Sequence, residues 1–185
     1  MNIALIGLGM VAQTHVTAIE SSEMGLTLCG VLGRDFVKTE RFAAAHNTRA
    51  YASLDDIASD ETVDMVIVAT PPNARLEIVT RLALARKPML MEKPIERNLE
   101  TAREIVQICE AAGVPLGIVF QHRARAASRA LKSALEEGQL GEIASVEIRV
   151  PWWREQSYYD VQGRGTYARD GGGVMISQAI HTLDL

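Results

Sequence analysis

Three short stretches of this chain combine residue types that can hold or move charge. Gly7-Leu8-Gly9-Met10-Val11-Ala12 joins an apolar run, residues 2–6, to a helix-compatible segment. Between a strand and a helix, Gly7 permits a tight turn, Gly9 lets a pyrophosphate approach and Ala12 allows close packing. The backbone of Gly7, Leu8, Gly9, Met10 and Val11 therefore reads as a dinucleotide cradle. About 20 residues on, where an Asp or Glu would hold the adenosine ribose, stands Gly33, followed by Arg34 and, one helical turn later, Lys38. A 2′-phosphate would meet a guanidinium and an ammonium there without carboxylate repulsion, which favours NADP. NAD stays open as the alternative, with Asp35 reaching the ribose and Arg34 merely on the surface. The third stretch, Met91-Glu92-Lys93-Pro94, ends another strand-like run. Ligands of parallel sheets bind at the carboxyl ends of strands, so Lys93 points at chemistry.

Such groups need a scaffold, and the hydropathy pattern supplies one. Strand-like runs at 2–6, 26–32, 64–69, 88–91 and 114–120 alternate with helical patterns at 10–22 and 35–46, a short one at 53–58, and two more after Asn73 and Asn98. Ser53, Asn73 and Asn98 are placed to cap helices, and Gly113 to stop the last of them. Five strands alternating with helices imply right-handed crossovers, hence an α/β, doubly wound parallel sheet (Rossmann) over residues 1–120. Further on, a helix near 126–137 ends at Gly138, and a strand over 143–153 carries Val146, Ile148, Val150 and Trp152 on one apolar face. Residues 171–185 read as the start of a helix. Residues 121–185 thus read as an unfinished second domain, since one strand forms no sheet by itself.

Composition sets further bounds. The 185 residues are 48% hydrophobic and 23% charged, enough to build a core without disulfide staples. Nineteen basic against 23 acidic residues, net −4, argue against nucleic acid as a partner. No apolar run reaches membrane-helix length and the opening residues lack a signal-peptide pattern, so the expectation is a cytoplasmic protein without a membrane partner. Cys29 and Cys109 read as buried, reduced thiols. The four His and two Cys show no metal-ligand spacing, so no metal site is expected.

Two more motifs complete the pattern: the turn Thr70-Pro71-Pro72-Asn73 and a late segment running from Gly171-Gly172-Gly173 to His181-x-x-Asp184. With the glycine turn and Glu92-Lys93-Pro94 these make four motifs in order, and on them the chain resembles the Gfo/Idh/MocA oxidoreductases, the glucose–fructose oxidoreductase and inositol dehydrogenase group. The resemblance runs over all 185 residues. Members are about twice this long, so the chain reads as truncated in its C-terminal domain. The resemblance implies that residues 121–185 are the incomplete N-terminal part of an α+β substrate and oligomerisation domain. The resemblance implies NAD(P)-dependent hydride transfer between nicotinamide and a secondary alcohol of a sugar or polyol-like substrate, with Lys93 and His181 as the catalytic pair. Elementary chemistry agrees: imidazole suits the base that takes the hydroxyl proton, and an ammonium stabilises developing alkoxide. The resemblance also assigns Thr70, Pro71, Asn73, Glu92, Lys93 and Gln121 to cofactor binding.

The chain departs from the family at Arg75, where a His is frequent, at Gln121, where an Asn is, and at Ser177, where an Asp often assists the histidine. A hydroxyl cannot raise the basicity of His181 as a carboxylate would, so either Asp184 supplies the charge or His181 works alone. Trp153, Arg154, Tyr159 and Arg164, with Ser177 and Gln178, offer aromatic faces, guanidinium forks and polar groups for a sugar or a carboxylate, whereas Trp152 reads as core. Arg125, Arg129 and Lys132 form a solvated helix face. A homo-oligomer is expected of the complete enzyme, and no turnover of these 185 residues alone. Two rival readings stand: a lyase or hydrolase that uses the nicotinamide transiently, separable by net NADPH production, and a dinucleotide-binding sensor without turnover, against which Lys93 and His181 speak.

Overall fold

A computed structural model describes residues 1–185. Residues Asn2–Ile6 form β1, and Ile3, Ala4, Leu5 and Ile6 are all buried, since both faces of this strand are covered. It runs parallel to β2 (Thr27–Leu32) on one side and to β4 (Met65–Val68) on the other. With β3 (Arg49–Ala50), β5 (Met89–Glu92) and β6 (Leu116–Val119) these make a six-stranded sheet ordered β3-β2-β1-β4-β5-β6. The chain reverses its direction of growth between β1 and β4, the place where doubly wound sheets open a crevice at their carboxyl edge.

The alternation of side chains along β1 divides the core into two layers. Ala4 and Ile6, with Val66 and Val68, pack among Val79, Leu82, Ile105 and Cys109 of α4 (Arg75–Leu84) and α5 (Leu99–Ala112). Ile3, Leu5 and Ile67 pack on the other side among Ala12, Val16 and Ile19 of α1 (Ala12–Glu20) and Ala43 of α2 (Phe36–Ala45). Each Val, Leu or Ile among them contributes about 1.5–3 kcal/mol by leaving water. Side-chain caps set the helix starts. The Asp35 carboxylate accepts from the Lys38 N–H at the head of α2, Ser53 and Asp56 form a reciprocal capping box on α3 (Leu54–Ser59), and Asn98 accepts from the Thr101 N–H on α5. Gly113, at φ +63°, ends α5.

The structure corrects the expectation at several points. Six strands form rather than five, because β3 is only two residues long and carries no hydropathy period; it is held by its ladder to Gly30 and Val31 and by the buried Tyr51. Asn73 is not a helix cap: the tandem prolines hold Pro71 extended and Pro72 opens a 3-10 turn, Pro72–Ala74, so Asn73 lies inside the turn and Ala74 precedes α4. Cys29 is half-buried rather than buried, lying on a strand flanked on one side only by short β3. Cys109 is buried, and both thiols are free.

Contacts divide the chain into two units, Met1–Ile118 and Val119–Leu185. The second holds α6 (Ala126–Glu136) and four single-turn helices, α7 (Gln156–Tyr159), α8 (Tyr167–Asp170), α9 (Val174–Ser177) and α10 (Ile180–Leu183). No strand forms over residues 143–153, and Val146, Ile148 and Trp152 are exposed, so Trp152 is not core. Backbone with strand-like alternation stays unpaired when no partner strand offers N–H and C=O groups to it. The expected single helix over 171–185 is also broken: the Ala179 N–H bonds to the carbonyl of Val174, five residues back, and this wide turn separates α9 from α10. No helix is long and apolar enough to cross a membrane.

At the end of β1 the backbone of a neighbouring strand leaves no room for a side chain. Gly7 sits at φ +100°, and a Cβ there would lie 2.7 Å from the carbonyl carbon of Ala69. Gly113 also has positive φ but faces open space. Strain alone costs about 1 kcal/mol, strain plus a backbone clash about 3 kcal/mol or more. In urea titrations Gly7→Ala should therefore lose at least about twice the stability that Gly113→Ala loses; equal losses would show that the close approach of β1 and β4 does not constrain the turn.

Candidate functional site

The carboxyl edge of the sheet gathers most of the residues singled out for cofactor binding. After β1 the chain turns at Gly7, whose N–H bonds to the carbonyl of Leu32, and enters α1 with the Met10 and Val11 N–H groups donating to no carbonyl. A Cβ on Gly9 would meet nothing within 4 Å, so the turn presents bare backbone. Two orphan donors at the head of a nine-residue helix, behind an uncovered glycine, suit a pyrophosphate.

At the end of β2, Gly33 is required by packing: a Cβ would lie 2.8 Å from Thr39 Oγ1 and 3.2 Å from Leu8 Cδ1. That crowding accounts for the missing acidic residue. Asp35 has another task, since its carboxylate caps α2 at 3.1 Å from the Lys38 N–H and lies 3.8 Å from Lys38 Nζ. Arg34 is exposed beside it and makes no hydrogen bond or ion pair.

At the end of β4, Thr70 Oγ1 is buried with no hydrogen-bond partner, an unmet polar group that a ligand hydroxyl or amide could satisfy. Pro71 is half-buried and Asn73 exposed. Next to this turn lies Arg75, only 2% exposed. Its Nε and Nη2 donate to the Thr70 carbonyl at 3.0 and 2.7 Å, and its Nη1 donates to the carbonyls of Glu92 and Pro94. Burial pulls this guanidinium down to about 10, against the charges of Glu92 and Glu96, so it remains protonated at neutral pH.

Lys93 follows β5, half-buried, between the two carbonyls that Arg75 holds. The Glu92 side chain takes a 3.0 Å hydrogen bond with His15 Nε2 of α1. Burial pushes the Glu92 carboxyl up, but the bond with His15 and the charges of His15, Lys93 and Arg75 outweigh it and leave the group below its usual value. Sequence reasoning placed neither His15 nor Arg75 in this site. Arg75 left one signal, a charged residue in line with the apolar stripe of Val79, Leu82 and Ala83, at the position where the resembled family often has a His.

The second unit holds the other candidates. His181 is buried on α10, its ring stacked on that of His122 at 4.6 Å between centroids and edge-on to Phe120 at 6.4 Å. Asp184 gives both carboxylate oxygens to Arg123, at 2.6 and 2.5 Å, and so is engaged as the partner of that guanidinium. Tyr159, Arg164, Ser177 and Gln178 line a cavity of about 280 Å³ together with Tyr158 and Asp170. Gln178 Nε2 donates to Tyr158 Oη at 3.1 Å, Arg164 lies over the Tyr158 ring at 4.4 Å, and Ser177 Oγ bonds to the Gly173 carbonyl and to Gln178. Trp153 and Arg154 are exposed and line no part of this cavity; Gln121 is exposed in the 3-10 turn after β6. A larger groove of about 600 Å³ runs along α6 between Leu131, Leu135, Arg129 and Lys132, and both carboxylates that line it are engaged, Glu136 with Lys132 at 3.5 Å and Asp184 with Arg123. No cluster of metal-ligating side chains occurs.

Residues 1–120 match the model of an oxidoreductase family with an NAD-binding Rossmann fold, GFO/IDH/MocA, and residues 128–185 match the model of the GFO/IDH/MocA C-terminal domain. An inositol 2-dehydrogenase of Mycolicibacterium vanbaalenii is 34% identical over 143 residues, covering 76% of this chain and 42% of that protein. A D-xylose dehydrogenase of Paenarthrobacter nicotinovorans is 27% identical over 155 residues, covering 82% and 40%. The WlbA dehydrogenase of Bordetella pertussis, solved in complex with NADH and UDP-GlcNAcA, superposes with a TM-score of 0.93 at 31% identity, over 100% of this chain and 54% of that one. The chain spans about half the length of the relatives it matches, from 35% to 55%. On both matched segments and this likeness, the chain belongs to the GFO/IDH/MocA oxidoreductase family.

Proposed function

We propose that this chain carries the cofactor site and the first part of the substrate site of a nicotinamide-dependent dehydrogenase acting on a secondary alcohol of a sugar or polyol-like compound, with a preference for NADP(H). One observation carries the reading: the Gly7 turn, the unmet Thr70 hydroxyl and Lys93 follow β1, β4 and β5, three adjacent strands, at one edge of one sheet. A dinucleotide laid across that edge has its pyrophosphate on the turn and its far end toward Lys93. Relatives named for inositol and xylose oxidation, and a neighbour holding NADH with a nucleotide sugar acid, support the substrate class.

When bound, nicotinamide supplies the hydride acceptor or donor. The Lys93 ammonium donates a hydrogen bond to the reacting oxygen, and the His181 imidazole takes or returns its proton. Tyr159, Arg164, Ser177 and Gln178 offer a fork and hydroxyl and amide groups to the rest of the substrate. The preference for NADP(H) is not borrowed from the neighbour, which holds NADH. It rests on Gly33, which has no room for an acidic side chain, on Asp35, which is spent as a helix cap, and on Arg34, which is exposed without a partner.

Fluorescence titration should give NADPH about tenfold or more tighter binding than NADH, about 1–3 kcal/mol, and Arg34→Ala should remove the difference while leaving NADH binding unchanged. Equal affinities in the unmodified chain would contradict the preference. In the enzyme that carries this chain, Lys93→Ala and His181→Ala should each lower kcat about 10²-fold or more with cofactor affinity near that of the parent. Parent-like turnover in either variant would show the acid–base assignment to be wrong.

A further inference from the structure

The buried guanidinium of Arg75 calls for an explanation. Taking such a charge out of water costs several kcal/mol, and on a helix face otherwise lined by Val79, Leu82 and Ala83 an aliphatic side chain would fill the space without that cost. What an aliphatic residue cannot do is answer three carbonyls at once. Glu92 closes β5 and Pro94 lies beyond it, and their carbonyls flank the peptide unit of Lys93 on either side. The Thr70 carbonyl belongs to the turn after the neighbouring strand and takes two of the guanidinium N–H groups. A planar fork with five donors in fixed directions is the one side chain able to bond in both directions from a single position.

We infer that Arg75 is a positioning residue for Lys93: it fastens the turn after β4 to the turn after β5, and so fixes where the Lys93 backbone presents its ammonium to the substrate and cofactor. The inference rests on the role of Lys93 given above and adds a residue to that reaction. Lysine in place of Arg75 would keep the charge but present its donors from one point, and histidine would offer two. The clamp therefore depends on the fork and not on the charge alone. The grip on Lys93 is completed from the other side by His15, which holds the Glu92 carboxylate to α1.

The unmodified chain gives the first test. With both Nη groups bonded to carbonyls, rotation about the guanidinium bonds is hindered, so nitrogen-15 arginine spectra should show separate, slowly exchanging Nη resonances for Arg75. A single averaged signal would overturn the clamp. In Arg75→Lys and Arg75→Gln, amide exchange over residues 70–74 and 92–97 should accelerate about tenfold or more while α1 and β2 keep their protection. In the enzyme that carries the chain, Arg75→Lys should lower kcat about tenfold or more with KM for the cofactor within about twofold, and millimolar methylguanidinium should restore part of the kcat of Arg75→Ala but none of that of Lys93→Ala. Full kcat in Arg75→Lys beside an inactive Lys93→Ala would overturn the inference alone. Full kcat in Lys93→Ala would instead overturn the proposed function from which it starts.

Discussion

Where β1 leaves the sheet, its backbone passes so close to the end of β4 that no carbon atom fits between them. A Cβ on Gly7 would press against the Ala69 carbonyl carbon and the Thr70 nitrogen at 2.7 and 2.8 Å. This approach turns the chain sharply into α1, leaves the Met10 and Val11 N–H groups without carbonyls, and brings the Thr70 turn against the glycine turn. A larger residue would push the two strand ends apart, and with them the two walls of the crevice that forms where the strand order reverses. The apolar packing on both faces of β1 holds the strand in place so that this contact is kept.

The carboxyl edge collects polar groups that a core would exclude. Arg75 is buried with its charge, Glu92 is kept ionised by His15, and Thr70 keeps a buried hydroxyl with no partner. Each costs stability that an apolar residue would not, and each lies in, borders or bonds to the turns after β4 and β5. Sites of this kind are where a sequence departs from the rules of core packing, because groups that must act on a ligand cannot all be satisfied by the protein itself. The second unit shows the same tendency on a smaller scale, with His122 stacked on His181 and a polar cavity built around Tyr158.

Much of the first unit was legible from its residues because local and global preferences coincide there. The cap at Asn98, the capping box at Ser53 and the stop at Gly113 all act within a few residues of themselves, and the apolar runs of the strands report burial on two faces. The glycine turn and Lys93 were legible through their place at strand ends. What could not be read depends on distant partners. β3 exists only through its ladder to β2, Asn73 lost its cap role to the prolines before it, and the alternation of residues 143–153 asks for strands that this unit does not contain. Arg75 was visible as a departure at a family position. Its reach to three carbonyls in two turns, 5 to 19 residues away along the chain, was not, since hydropathy carries no information on such bonds.

The central claim is that a nicotinamide dinucleotide lies across the carboxyl edge of this sheet with its reactive end at Lys93. Backbone amide spectra of the nitrogen-15 labelled chain, recorded during titration with NADPH, test it most directly. The account predicts shifts that saturate together and fall on Gly7 to Val11, on Gly33 to Lys38, on Thr70 and on Glu92 and Lys93. Shifts scattered elsewhere, or confined to the glycine turn with Lys93 unmoved, would contradict it.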